Sequence, residues 1–360
     1  MTLNGKEMDL NPEACDIEKD VDLFLRYMEG FSSFHGDYQG MQYRFYEFAN
    51  WFFASPFMSI MRDMATRTNR NTLPYPVYGL LYGKSKAGKT SFLETILKMM
   101  IGQKPKLQAV EFTRTTIDNL KKVTKGAPII VDDLTNARFG QHAIETIKND
   151  SFGVNEGLIN YPAVVISANE DVKAVAPEVI RRTVICRVSA GLTNTEVMKS
   201  NAVRTTQQKI GTAFYREYLR RMLECVPTLI EEMKDDEIEM SPDLLSYSSK
   251  ILYEIFKEFG DNMPEYIREL SLEDYFSEQV TGQNTITIIQ NAWRVNKRAF
   301  KIDKRNNELR YYAGQTYDAE RFMKELPETL EARRSNEWVI MLLDKAKEFF
   351  GIEFKKGLFK

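Results

Sequence analysis

The chain has 360 residues, enough for two or three domains with substantial cores. Hydrophobic residues make up 43% and charged ones 28%, which excludes wholesale disorder. With 49 Lys and Arg against 51 Asp and Glu, the net charge of −2 excludes a molecule basic throughout, so any surface for nucleic acid must be local.

The three cysteines (Cys15, Cys186, Cys225) and two histidines (His35, His142) are scattered without metal-ligand spacing, so neither structural zinc nor a disulfide framework is expected. The first twenty residues contain Asp9, Glu13, Asp16 and Glu18 and no apolar block, and do not read as a secretory signal. No uncharged run approaches the ~20 residues of a membrane span. The expectation is a soluble protein without a membrane partner, cytoplasmic, or nuclear in a eukaryotic or viral setting.

Residues 1–70 predict a helical N-terminal region. Val21, Phe24 and Met28, then Met41, Phe45, Phe48 and Phe52, recur at helical spacing, and the aromatic run FYEFANWFFASPF reads as core rather than as a stacking surface. From Tyr75 short apolar runs alternate with amphipathic segments, which predicts an α/β domain over residues 71–190: a parallel sheet with covering helices. The expected strands are Val77–Tyr82, Ala109–Phe112, Pro128–Val131, Ala163–Ser167 and Thr183–Val188, with helices at Ser91–Ile101, Thr116–Val123 and His142–Ile147.

Between the first strand and first helix of that domain stands Gly83-Lys84-Ser85-Lys86-Ala87-Gly88-Lys89-Thr90, a complete GxxxxGK[ST] followed by Ser91. Backbone N–H groups of a glycine-permitted loop and the positive end of the following helix cradle phosphate oxygens. Lys89 reaches the β- and γ-phosphates, and the Thr90 hydroxyl ligates Mg²⁺. The next apolar strand ends in Asp132-Asp133, with Asp132 lying 43 residues after Lys89. Acids at the carboxyl end of a parallel strand share an edge with the loop, so Asp132 is expected to hold Mg²⁺ through water and Asp133 to polarise the attacking water.

The strand PAVVISA ends in Asn169, a neutral amide able to contact the γ-phosphate and that water together. Arg181 and Arg182 precede the next strand. On that edge an arginine suits a neighbouring subunit's nucleotide better than its own, where it would neutralise transition-state charge; a surface ion pair is the other reading.

The order of loop, paired acids, strand-terminal asparagine and arginine resembles the AAA+ group of P-loop ATPases, and IIVDDLTN, PAVVISANED and VIRRTVICRV are most similar to its superfamily 3 helicase branch. The resemblance covers about residues 75–190. It implies ATP hydrolysis at the interfaces of a homo-oligomer, usually a hexameric ring, with Arg182 or Arg181 acting in trans. It also implies a basic hairpin before the sensor strand that grips nucleic acid in the pore, as in DNA replication. The corresponding stretch here, residues 149–161, holds no Lys, Arg or His, and only Lys148 flanks it.

Residues 191–240 predict a helical lid ending in the acidic cluster EEMKDDEIE. Residues 241–360 predict a mainly helical α+β domain, winged-helix-like, with a hairpin turning at Asn306-Asn307 and a last helix over Trp338–Phe350. Around that hairpin Arg294, Lys297, Arg298, Lys301, Lys304, Arg305 and Arg310 interleave with Trp293, Phe300, Tyr311 and Tyr312. Two readings stand: a surface combining phosphate contacts with base stacking on single-stranded DNA or RNA, or a solvated hairpin with its aromatics in the core.

The reading these features favour is an Mg-dependent ATPase with helicase-like parts. The alternative is a nucleotide-dependent oligomeric switch in signalling or defence that recruits a protein partner and never translocates. A small-molecule kinase shares the loop but leaves the acids, asparagine and arginines unexplained.

Overall fold

The computed structural model describes residues 2–3, 5–124, 126–148, 161–169, 177–199, 202–277 and 282–355. The chain forms two compact units, residues 1–173 with 181–274, and residues 174–180 with 275–360.

The first unit opens with α1 (Ala14–Glu29) and α2 (Tyr38–Arg67). α1 buries Ile17, Val21, Phe24 and Met28, one stripe at helical spacing. α2 starts at Asp37, whose carboxylate accepts the Gly40 N–H at 2.9 Å. Its middle buries every residue from Phe48 to Ser55, so it is a core helix rather than an amphipathic one. The aromatic run is therefore core: Phe45 stacks on Phe92 of α3 (Lys89–Ile101) at 4.1 Å, and Trp51 donates from Nε1 to the Pro76 carbonyl at 2.9 Å.

Behind these helices lies a five-stranded parallel sheet of β1 (Tyr78–Gly83), β2 (Leu107–Gln108), β3 (Ile129–Asp132), β4 (Val164–Ala168) and β5 (Thr183–Val188), in the order β2-β3-β4-β1-β5. β1, β3 and β4 are buried along their whole length, as strands covered on both faces must be. Because β4 lies between β1 and β3 in parallel register, all three carboxyl ends open on one edge. The expected strand at Ala109–Phe112 is not one. The Glu111 carboxylate turns back to accept the Gln108 N–H at 2.9 Å, closing a 3₁₀ turn over Ala109–Glu111, and only Leu107–Gln108 pair with β3.

The helix α4 (Arg114–Val123) lies between β2 and β3, and C-terminal to the sheet come the long helices α5 (Ala213–Lys234) and α6 (Leu244–Phe259). They close an aromatic cluster in which Phe214 lies 6.3 Å from Phe24 and 5.2 Å from Phe256. The buried Asp20 carboxylate accepts the N–H groups of Gly211 and Ala213 at 2.7 and 2.8 Å, an anion at a helix start.

The second unit holds α7 (Gln283–Val295), the hairpin β6 (Phe300–Asp303) and β7 (Glu308–Tyr312), α8 (Thr316–Lys324), the hairpin β8 (Arg333–Ser335) and β9 (Trp338–Leu342), and α9 (Leu343–Phe350). The four strands form one antiparallel sheet, β8-β9-β7-β6. The last helix thus begins at Leu343 and not at Trp338: the segment WVIML spends its β-branched residues on pairing with β7.

Gly79 in β1 faces the Trp51 ring, where an added Cβ would come within 2.4 Å of ring carbon. Gly79→Ala is expected to destabilise the chain by ~1–3 kcal/mol through overpacking, read as a lower urea midpoint; an unshifted midpoint would remove this contact from the core.

Candidate nucleotide site

The loop from Gly83 to Gly88 is shaped by its glycines. Gly83 has φ 121°, and a Cβ there would lie 2.1 Å from the Val188 carbonyl oxygen; that oxygen instead accepts the Lys84 N–H at 3.0 Å. Gly88, at φ 75°, turns the chain into α3, and no side chain caps the first turn. Those N–H groups therefore point at whatever anion occupies the loop. Ala87 is buried, Ser85 exposed, and Lys86 has φ 60° with its ammonium on Asn194. The Lys86 carbonyl also accepts the Leu192 N–H at 3.1 Å, so the segment after β5 braces the loop from outside. The Ser91 hydroxyl is turned to Tyr27 of α1, whose OH lies 3.2 Å away.

Lys89 is 5% exposed and spans the loop, its Nζ donating to the carbonyls of Gly83 at 3.0 Å and Lys84 at 2.7 Å. Burial brings its pKa down to about 8, against the opposing pull of the Asp133 and Asp132 charges.

Asp132, at the end of β3, has both carboxylate oxygens occupied. Oδ1 accepts the hydroxyls of Thr90 and Ser167, each at 2.8 Å, and Oδ2 accepts the Lys106 ammonium at 2.9 Å. Burial alone would push this carboxyl up, but the hydrogen bonds from Lys106, Ser167 and Thr90 outweigh it and keep it ionised. Thr90 and Asp132 together present hard oxygen donors suited to a divalent cation that arrives with phosphates. Asp133 adopts φ 56°, a left-handed conformation that few side chains besides Asn and Asp tolerate. Its N–H bonds the Ser167 hydroxyl at 3.1 Å, and its exposed carboxylate accepts from the Asn169 amide. Asn169 follows β4, between the loop strand and the acid strand.

Five residues named from sequence thus meet at one sheet edge: Lys89, Thr90, Asp132, Asp133 and Asn169. Arg181 and Arg182 do not. Thr183 pairs with Tyr78 at the start of β1, so both arginines lie at the amino edge of the sheet, a strand length of roughly 20 Å from the loop. Residues 149–160, where the pore hairpin is expected, lie outside the described residues, as do Glu170 and Asp171.

Two contributors carried no sequence signal. Ser167, inside an apolar strand, orders both acids with one hydroxyl. Lys106, just before β2, bridges Asp132 and the Glu94 carboxylate of α3 at 2.9 and 3.0 Å, tying the acid strand to the helix that follows the loop.

In the second unit Arg294, Lys297, Arg298, Lys301, Lys304 and Arg305 are all exposed. Of the aromatics interleaved with them, Trp293, Phe300 and Tyr311 pack inward, with Trp293–Phe300 at 5.2 Å and Phe300–Tyr311 at 5.0 Å. The stacking expectation is corrected for these three; Tyr312 alone of the four faces solvent, 43% exposed.

Residues 2–172 match the family model of the Aq_aa27 P-loop NTPase domain, a match that spans α1, α2 and most of the sheet. The sheet, loop and flanking helices are those of a P-loop NTPase fold. A solved structure titled "SCCmec type IV Cch - active helicase" superposes with a TM-score of 0.41 at 13% identity, covering 89% of this chain and 72% of that one. No curated protein matches the sequence. Among the described residues, no helix is long and apolar enough to cross a membrane.

A phosphate held against Lys89 would raise its pKa above the value of about 8 that burial gives it, which would couple binding to the protonated form. Nucleotide affinity is therefore expected to be level below that pH and to fall by up to ~tenfold per unit above it. Titration with a fluorescent ATP analogue from pH 6.5 to 9.5, values chosen to bracket that point by roughly 1.5 units each side, checks this; a flat profile would detach Lys89 from the phosphates.

Proposed function

We propose that the chain is an Mg-dependent ATPase of the AAA+, superfamily 3 helicase type, which hydrolyses ATP at the interfaces of a homo-oligomeric ring and uses the cycle to remodel or move along nucleic acid. The observation that carries this reading is the convergence of Lys89, Thr90, Asp132, Asp133 and Asn169 on the carboxyl edge of one sheet.

Within that reading, the loop N–H groups and Lys89 hold the β- and γ-phosphates and balance their charge. Thr90 and Asp132 would hold Mg²⁺, which supplies charge neutralisation between the phosphates when bound. Asp133 draws a proton from the attacking water, while Asn169, already on the Asp133 carboxylate, orients both. Arg182, or Arg181, would serve the neighbouring subunit's nucleotide; the placement of both at the far edge of their own sheet supports a role in trans over one in cis.

A second reading, an oligomeric switch that recruits a protein partner without translocating, draws support from residues 149–161, which contain no basic side chain.

Purified protein is expected to release phosphate from ATP, and Lys89→Ala to lower the rate by about two orders of magnitude or more. Asp133→Ala and Arg182→Ala chains, each near inactive, should recover part of the rate when mixed, since one interface can be rebuilt from intact halves. Mixtures no faster than either variant would count against catalysis in trans.

A further inference from the structure

The antiparallel sheet of the second unit has two unlike faces. Phe300, Leu309, Val339 and Met341 alternate inward and are buried at 2% exposure or less, against the apolar sides of α7, α8 and α9. The intervening residues form the other face. Register places Lys301 opposite Arg310, Arg310 opposite Ile340, and Ile340 opposite Arg333, one row across all four strands. The adjacent row runs Tyr312, Trp338, Ser335.

This face combines two chemistries. Lys301 Nζ stands 4.4 Å from the centroid of the Trp338 ring, and the Tyr312 and Trp338 rings lie 5.3 Å apart at 54°. Arg310 and Arg333 share the single Glu308 carboxylate, which is 14% exposed while the two arginines are 43% and 65% exposed. One carboxylate cannot neutralise two guanidinium groups, and each arginine has five N–H donors, so donors remain for an anionic partner. Asp303, on the same face, spends its carboxylate on the N–H groups of Arg305 and Asn306 in the hairpin turn. The excess positive charge is local: residues 275–360 hold sixteen Lys and Arg against twelve Asp and Glu, in a chain that is 49 against 51.

We infer that this sheet face, with Lys301, Arg310 and Arg333 as the phosphate row and Tyr312 and Trp338 as the base platform, binds single-stranded nucleic acid. The inference rests on the nucleic-acid half of the proposed function and gives it a place. Cations beside the exposed Tyr312 ring and the partly exposed Trp338 ring match a strand whose phosphates and base faces are both accessible, whereas a duplex buries its base faces in its own stack. The occupant is chosen by charge complementarity. Arg294, Lys297, Arg298, Lys304 and Arg305 lie outside the row, on the end of α7 and in the turns, where they extend the positive field without lining the platform.

The test uses the full chain and fluorescein-labelled oligothymidylate, oligouridylate and a DNA hairpin duplex of equal length, with binding followed by anisotropy over a series of salt concentrations. At least one single strand should bind more tightly than the duplex, and comparison of the two strands tells DNA from RNA. Tyr312→Ala should weaken that binding at least ~fivefold while Tyr312→Phe retains it, because the ring and not the hydroxyl stacks. Lys301→Ala should lower the slope of log affinity on log salt by about 0.7, the counterion released by one single-strand phosphate. Quenching of tryptophan emission on binding should be lost in Trp338→Phe, and thermal melts of all variants check that they fold.

Folded Tyr312→Ala and Lys301→Ala chains that bind as tightly as the parent, with its salt slope, would overturn this face while leaving the nucleic-acid reading intact. Tighter binding to duplex than to either strand would also overturn it. A parent chain that binds none of the three probes would remove the nucleic-acid half of the proposed function itself, while phosphate release in the Lys89→Ala comparison still judges the ATPase half.

Discussion

The candidate site depends on one carboxylate. Asp132 receives a hydroxyl from α3 (Thr90), a hydroxyl from β4 (Ser167) and an ammonium from the segment before β2 (Lys106), so three elements are fixed against the end of β3 by a single side chain. A buried carboxylate with three donors stays charged, and a charged group held on three sides cannot rotate without leaving a donor unpaired. Ser167 then passes the constraint on: the same hydroxyl accepts from the Asp133 N–H, which settles Asp133 in its left-handed turn and brings its carboxylate to Asn169.

The helical region is the other half of this arrangement. Gly88, the pivot between loop and α3, has the Phe31 ring in position to meet an added Cβ at 3.0 Å, and Phe45 of α2 stacks on Phe92 of α3. The N-terminal helices therefore act as the floor of the loop. The family match over residues 2–172 likewise takes in these helices together with β1 to β4. Lys89 completes the picture as a buried cation whose acceptors are the loop's own carbonyls, so the loop is held closed around the group that would meet a phosphate.

The second unit follows a different logic. Its two hairpins commit one sheet face to a core of aromatics from α7 and α9, and the other face collects what the core cannot use. The same alternation that buries Phe300 exposes Lys301, and the register that sets Val339 beside Tyr311 sets Trp338 beside Tyr312.

Much of the first unit was legible in the residues themselves. The loop motif, the apolar strands ending in Asp132-Asp133 and Asn169, and the buried aromatic helix are local patterns, because strand burial and helical spacing are written in consecutive residues. AVEF at residues 109–112 and WVIML at 338–342 misled because a short apolar run fits strand, turn or helix equally until its pairing partner is known. Ser167 and Lys106 carried no pattern at all: they act on a residue 35 and 26 positions away. The residue types able to do the chemistry are thus set by the sequence, whereas which of them touch is decided by the order β2-β3-β4-β1-β5, since contacts between distant residues exist only once the sheet has fixed its register.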